Sequence, residues 1–168
     1  MRGLLDTWLF TRERLRPAYS DLGHQDLLWR PFDGAHSIGE LLYHIAGAEH
    51  YYAARISGRN PAGTDWEGKL DRAVIDDFLA EGKAPFGPDD MHPELVQQAL
   101  EFAALEIRPI LENPTEGELS KPIISALGAS VTGYEGLLRV TQHAAYHTGQ
   151  IWIYRKDPRF PAGYGAGI

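Results

Sequence analysis

Two histidines, His143 and His147, stand four residues apart near the C-terminal end of the chain. On a helix that spacing puts both imidazoles on one face, one turn above the other. It lets a helix offer two nitrogen ligands to one metal ion. A third histidine, His44, lies far earlier, in another strongly helical stretch. Convergence of the three inside a helical bundle would hold a divalent metal. Three neutral imidazoles with a fourth position open is a geometry that zinc uses in catalytic sites. Nickel suits imidazole equally, and affinity order does not choose between the two. Taken singly, each histidine is as well explained by hydrogen bonding in a core; the argument rests on all three falling on inward stripes of two helices.

Other metal chemistries are excluded. The count of Cys 0 removes thiolate ligands, disulfides and cysteine nucleophiles together. A protease helix of the H-E-x-x-H kind needs glutamate after its first histidine, and Ala144 stands there. A di-iron bundle needs Glu-x-x-His on two helices, and no glutamate here has histidine three residues on. Glu40 lies one turn before His44 but is read as closing a helix cap. Gln150, Tyr51 and Tyr154 share faces with the three histidines and are candidates to line the site. His24, His36, His50 and His92 are expected at the surface.

Four long helices must position these residues. The first runs from Leu4 to about Leu22, with apolar residues at a 3–4 spacing and Pro17 as a possible kink. Gly23 to His36 reads as a loop. The second helix opens at Ser37-Ile38-Gly39-Glu40, a capping box, carries His44 on the stripe of Leu41, Ala48 and Tyr51, and stops at Gly58. Asn60 to Pro88 is rich in proline and glycine, with a short helix expected near Leu70 to Ala80. Long irregular excursions of this kind often serve as lids or interfaces. The third helix starts at His92-Pro93 and meets Pro109 near its end. Asn113 to Gly128 reads as loop with a short extended piece. The fourth helix opens at a second capping box, Thr132-Gly133-Tyr134-Glu135, and ends at Asp157-Pro158. The glycine-rich tail after it is expected to be loosely held. Gly47, Gly136 and Gly149 inside helices mark either close helix approach or tolerated surface positions. The pattern predicts an all-α four-helix bundle, with residues 1–168 as a single domain.

Composition limits the partners. The chain has 168 residues, 43% hydrophobic and 23% charged, with net charge −7 from Lys+Arg 16 and Asp+Glu 23. An acidic surface disfavours nucleic acid and anionic membranes. No stretch reaches the roughly 18 apolar residues a membrane helix needs. The charged N-terminus does not read as a signal peptide, so a cytoplasmic protein is expected.

Three stretches carry a family likeness. Trp29-Arg30-Pro31, then His36-Ser37-Ile38-Gly39-Glu40-Leu41-Leu42-Tyr43-His44-Ile45-Ala46, then the run HAAYHTGQI from His143 to Ile151, resemble the DinB/YfiT-like superfamily in order and spacing. The resemblance implies up-down-down-up connectivity, a homodimer, and a metal (zinc or nickel) held by His44, His143 and His147. It leaves the activity open. Some relatives are thiol S-transferases using a low-molecular-weight thiol such as bacillithiol, mycothiol or glutathione; others are hydrolases or isomerases. The leading expectation is a metal-dependent enzyme acting on a small-molecule substrate by thiol S-transfer. The alternatives are a metal-dependent hydrolase and a non-catalytic, stress-related metal-binding protein.

Overall fold

The computed structural model describes residues 2–61, 65–79 and 85–161. Four long helices carry the architecture: α1 (Arg2–Tyr19), α3 (Ile38–Ile56), α5 (Pro93–Glu112) and α7 (Gly133–Arg155). Between them lie α2 (His24–Leu28), α4 (Trp66–Leu79), a one-turn 3-10 helix (Pro88–Asp90) and α6 (Glu116–Ser120). An antiparallel hairpin of β1 (Pro122–Ile124) and β2 (Ser130–Thr132) pairs Ile123 with Val131.

Cross-helix contacts fix the directions. Tyr43 meets Asp90 at one end of the α3–α5 pair and His50 meets Glu106 further along, so α3 and α5 run parallel. His44 meets His143 while Ile56 approaches Gly133, so α3 and α7 run antiparallel. The Arg155 guanidinium reaches Pro17, while Trp8 shares a cluster with Leu137 and Val140, so α1 and α7 are parallel. The bundle is therefore up-down-down-up. Parallel neighbours need a long return, and the segment containing α4 supplies it between α3 and α5.

Both capping boxes read in the sequence are present. The Ser37 hydroxyl accepts from the Glu40 amide while the Glu40 carboxylate accepts from the Ser37 amide; Thr132 and Glu135 do the same. Helix α3 is buried at almost every position and forms the centre of the molecule. Pro17 and Pro109 sit inside α1 and α5 without ending them. Buried Ala18, and buried Ile110 and Leu111, follow the two prolines and hold those last turns on the core. The ends of α1 and α7 are fastened by Arg155, which is 1% exposed. Its guanidinium donates to the Pro17 and Ala18 carbonyls at 3.2 and 2.8 Å and forks onto Asp21 with two bonds of 2.8 Å. These carbonyls belong to the last turn of α1, where intrahelical donors run out.

Several expectations need correction. His50 is not at the surface: it is 0% exposed, and its Nδ1–H donates to Glu106, which also pairs with Arg59. His24, His36 and His92 are partly buried, and His24 and His92 stack with ring centroids 4.5 Å apart. The stretches read as loops hold the short helices α2 and α6; the expected extended piece is β1, which pairs with β2 just beyond that stretch. The expected short helix near Leu70 begins earlier, at Trp66, and Ala80 lies outside the described residues. The start of the tail is held: Phe160 is buried edge-on against Trp29, and Arg159 donates to the Pro31 carbonyl. The expectation for residues 162–168 lies outside the described residues.

Candidate metal centre

His44 owes its orientation to α4. A Cβ at residue 47 would stand 2.6 Å from the Leu70 carbonyl oxygen, so glycine is what lets α4 lie this close to α3. The Arg55 guanidinium forks onto Asp71 at 3.0 and 2.8 Å and stacks over Tyr51, tying the same two helices. Two residues beyond Asp71, the Ala73 carbonyl accepts the His44 Nδ1–H at 2.8 Å. That bond fixes the tautomer and leaves the Nε2 lone pair of His44 facing α7.

The antiparallel run of α7 brings His143 and His147 against it. The ring centroids lie 4.5 Å (His44–His143), 4.9 Å (His44–His147) and 4.5 Å (His143–His147) apart. His147 donates its Nδ1–H to Gln150 Oε1 at 2.9 Å, and the Gln150 amide donates onward to the Tyr154 hydroxyl at 2.9 Å. His147, like His44, therefore presents Nε2. Bonds from the remote ring nitrogen to a carbonyl or amide oxygen are the usual support for metal-binding histidines.

The three residues fit a metal on their own geometry. One nitrogen from each lies within 4.8 Å of the others, so the group could hold an ion. The Nε2 atoms of His44 and His143 are 2.8 Å apart, while His143 Nδ1 is buried with no hydrogen-bond partner among the described residues. With the His143 proton on Nδ1, two lone pairs would face each other across 2.8 Å. A cation between them turns that repulsion into coordination. Among the described residues no cysteine or carboxylate joins the group.

Burial holds all three imidazoles below their ordinary value, that of His143 to about 3. Neighbouring imidazoles push His44 and His143 further down, and the Gln150 bond pulls His147 partly back. All three are therefore neutral at neutral pH, the form that binds metal. The unfolded chain takes up protons on these residues below about pH 6.5 while the folded cluster does not. Stability of metal-free protein is thus expected to fall as pH drops through that range. Urea midpoints at pH 7.5 and 5.0 check this: the fall should shrink in a His44→Leu, His143→Leu variant. An equal fall in both proteins would assign it to other groups.

A cavity of about 380 Å³ opens beside the histidines. Ala48, Tyr52 and Val74 form one side, and the hairpin turn contributes Ala126 and Leu127. That turn is closed by Ser125, whose amide donates to the Ala129 carbonyl at 2.8 Å, and by Gly128 at φ +80°, a conformation that favours glycine. Arg139, Gln142 and Tyr146 complete the cavity from α7.

His44, His143 and His147, the three candidate ligands, are brought together. Gln150 and Tyr154 stand behind His147. Tyr51 does not line the cavity; its hydroxyl donates to the Ile124 carbonyl at 2.9 Å, and Tyr52 takes the place expected for it. Glu40 closes its capping box and does not reach the histidines. Gly47 and Gly136 mark close approaches, Gly136 against Tyr52 and Ile123, whereas Gly149 faces open space. Sequence reasoning missed Arg139 and Tyr146, although both lie one turn from His143 on its own helix face. No sequence signal points to Ala126 and Leu127, which reach the site through the hairpin.

Solved structures with this fold include two DinB-like proteins. One from Bacillus cereus superposes with a TM-score of 0.66 at 14% identity, covering 98% of this chain and 97% of its own. Another, from Bacillus subtilis, gives 0.60 at 19% identity, covering 90% and 88%. A conserved protein from Enterococcus faecalis gives 0.66 at 16% identity, covering 92% and 94%. At these identities the likeness speaks for the fold alone. No curated protein matches the chain. The family model of the DinB superfamily matches residues 7–151, a span that contains all three histidines, the whole of α3 and α5 and most of α1 and α7, and the chain belongs to that superfamily.

Proposed function

We propose that the chain is a metal-dependent enzyme that transfers a small thiol to an electrophilic substrate, with His44, His143 and His147 holding the ion. The observation that carries this reading is a three-nitrogen group that opens on a cavity and has no fourth protein ligand among the described residues. A divalent ion bound there would supply Lewis acidity, lowering the pKa of a thiol or water toward neutrality. Zinc and nickel both suit the nitrogen set.

Thiol transfer is favoured over hydrolysis by what lines the cavity. Among the described residues no aspartate or glutamate does, so none of them offers a carboxylate as a general base for water. Tyr52 does line it, and burial pushes its phenol up, so the phenol remains a hydrogen-bond donor at neutral pH. It is suited to polarise an oxygen on the electrophile. In the overall reaction the thiol sulfur bonds to an electrophilic carbon, the leaving group departs with its electron pair, and the thiol proton passes to solvent. A homodimer and a cytoplasmic location are part of the same proposal, the homodimer supported by family likeness alone.

The test is thiol binding to cobalt-loaded protein. Addition of 2-mercaptoethanol should produce sulfur-to-cobalt charge-transfer absorption in the near ultraviolet that is absent without the metal. A loaded protein that shows no such band has a closed centre, and the structural reading of the metal then replaces the enzymatic one.

A further inference from the structure

The least explained group around the cavity is a cation. Arg139 stands one turn before His143 on α7 and lines the cavity, partly buried. Among the described residues it forms no ion pair and no hydrogen bond. Glu135, one turn further back, is the acid nearest in sequence, but its carboxylate is committed to Thr132, accepting from the amide at 2.7 Å and the hydroxyl at 2.9 Å. The other described residues of the wall are apolar, as at Ala48, Val74 and Leu127, or uncharged.

We infer that the cavity selects substrates or thiols bearing a carboxylate, and that Arg139 sets this specificity by receiving that carboxylate. The inference rests on the proposed metal reading for the other end of the ligand. Three neutral imidazoles leave an ion's charge unbalanced, Arg139 adds to it, and among the described residues no acidic group lines the cavity to oppose it. The cavity is thus a positive spot on a protein of net charge −7, and a low-dielectric wall strengthens such a field. A guanidinium presents a planar fork that matches a carboxylate and gives a stronger bond than a neutral donor. Four helical residues span about 6 Å. The preferred ligand therefore carries its carboxylate about one helical turn from the atom that meets the metal, with an apolar spacer between.

The probe pair is 4-mercaptobutanoate and its amide, which differ in charge and little in shape. Each is titrated into cobalt-loaded wild type, Arg139→Gln and Arg139→Lys, read by the charge-transfer band. Wild type should bind the acid about tenfold more tightly than the amide, the equivalent of roughly one charge-assisted hydrogen bond. Arg139→Gln should bind both alike, at the affinity wild type has for the amide, and Arg139→Lys should retain part of the preference. Equal binding of acid and amide by wild type overturns the specificity inference and leaves the thiol–metal reading standing. Loss of amide binding in Arg139→Gln shows that the arginine is structural and also overturns it. No band with either thiol overturns the functional reading, and this inference with it.

Discussion

His143→Ala is expected to abolish stoichiometric metal binding while leaving the bundle folded. His143 supplies one of three nitrogens, and its Nε2 faces that of His44 at 2.8 Å. Neither remaining imidazole can replace it, because the Nδ1 atoms of His44 and His147 are committed to Ala73 and Gln150. The folded state should survive, since the two apolar clusters of the bundle do not include His143. Gln150→Ala should have a graded effect: loss of a supporting bond of this kind weakens metal affinity by about 10–100-fold. Elemental analysis after purification without added metal, followed by zinc titration against a chelator and far-ultraviolet circular dichroism, measures all three quantities. Full metal content in His143→Ala would refute the three-histidine centre. A Gln150→Ala affinity equal to wild type would remove the outer support from the argument.

The largest expected loss of stability comes from the opposite end of α7. Arg155→Ala removes a buried guanidinium that serves two backbone carbonyls and a carboxylate at once. Breaking a buried charge pair by removing one partner costs about 3–5 kcal/mol. The lower end applies here, because the Asp21 side chain is 40% exposed and regains water. Arg155→Lys should recover only part of the loss, since an ammonium cannot fork across Asp21 and the carbonyls together. Urea unfolding gives the number directly. A cost under about 1 kcal/mol, the range of exposed ion pairs, would show that α1 and α7 are held by apolar packing alone.

Elements with strong local signals were legible from sequence. Ser37-x-x-Glu40 and Thr132-x-x-Glu135 announce their helices because the cap is built from residues adjacent in the chain. His143 and His147 were legible because helical spacing alone places them together. The Thr115-x-x-Glu118 cap of α6 offered the same signal and went unread inside a stretch dominated by Pro114, Gly117 and Pro122. What stayed hidden depends on distant partners. His50 looks like a surface residue by its position off the His44 stripe, but α3 is central and is covered from several sides, so its position opposite Glu106 is buried too. The Ala73 carbonyl that orients His44 is a backbone atom, invisible to any pattern of side chains. Of the hairpin beside the cavity only an extended piece was legible; its pairing was not, because three residues per strand are too few to show alternation.

The close seating of α4 at Gly47 has a thermodynamic corollary. The carbonyl that sets the His44 tautomer is carried by a helix that lies outside the four-helix bundle and is bounded by proline- and glycine-rich connections. Any ion gripped by His44 therefore favours the docked arrangement of α4, and by reciprocity whatever steadies α4 tightens the grip on the ion. The excursion between the second and third bundle helices thus acts as ballast for the centre: its own attachment and the occupancy of the three nitrogens rise and fall as one equilibrium.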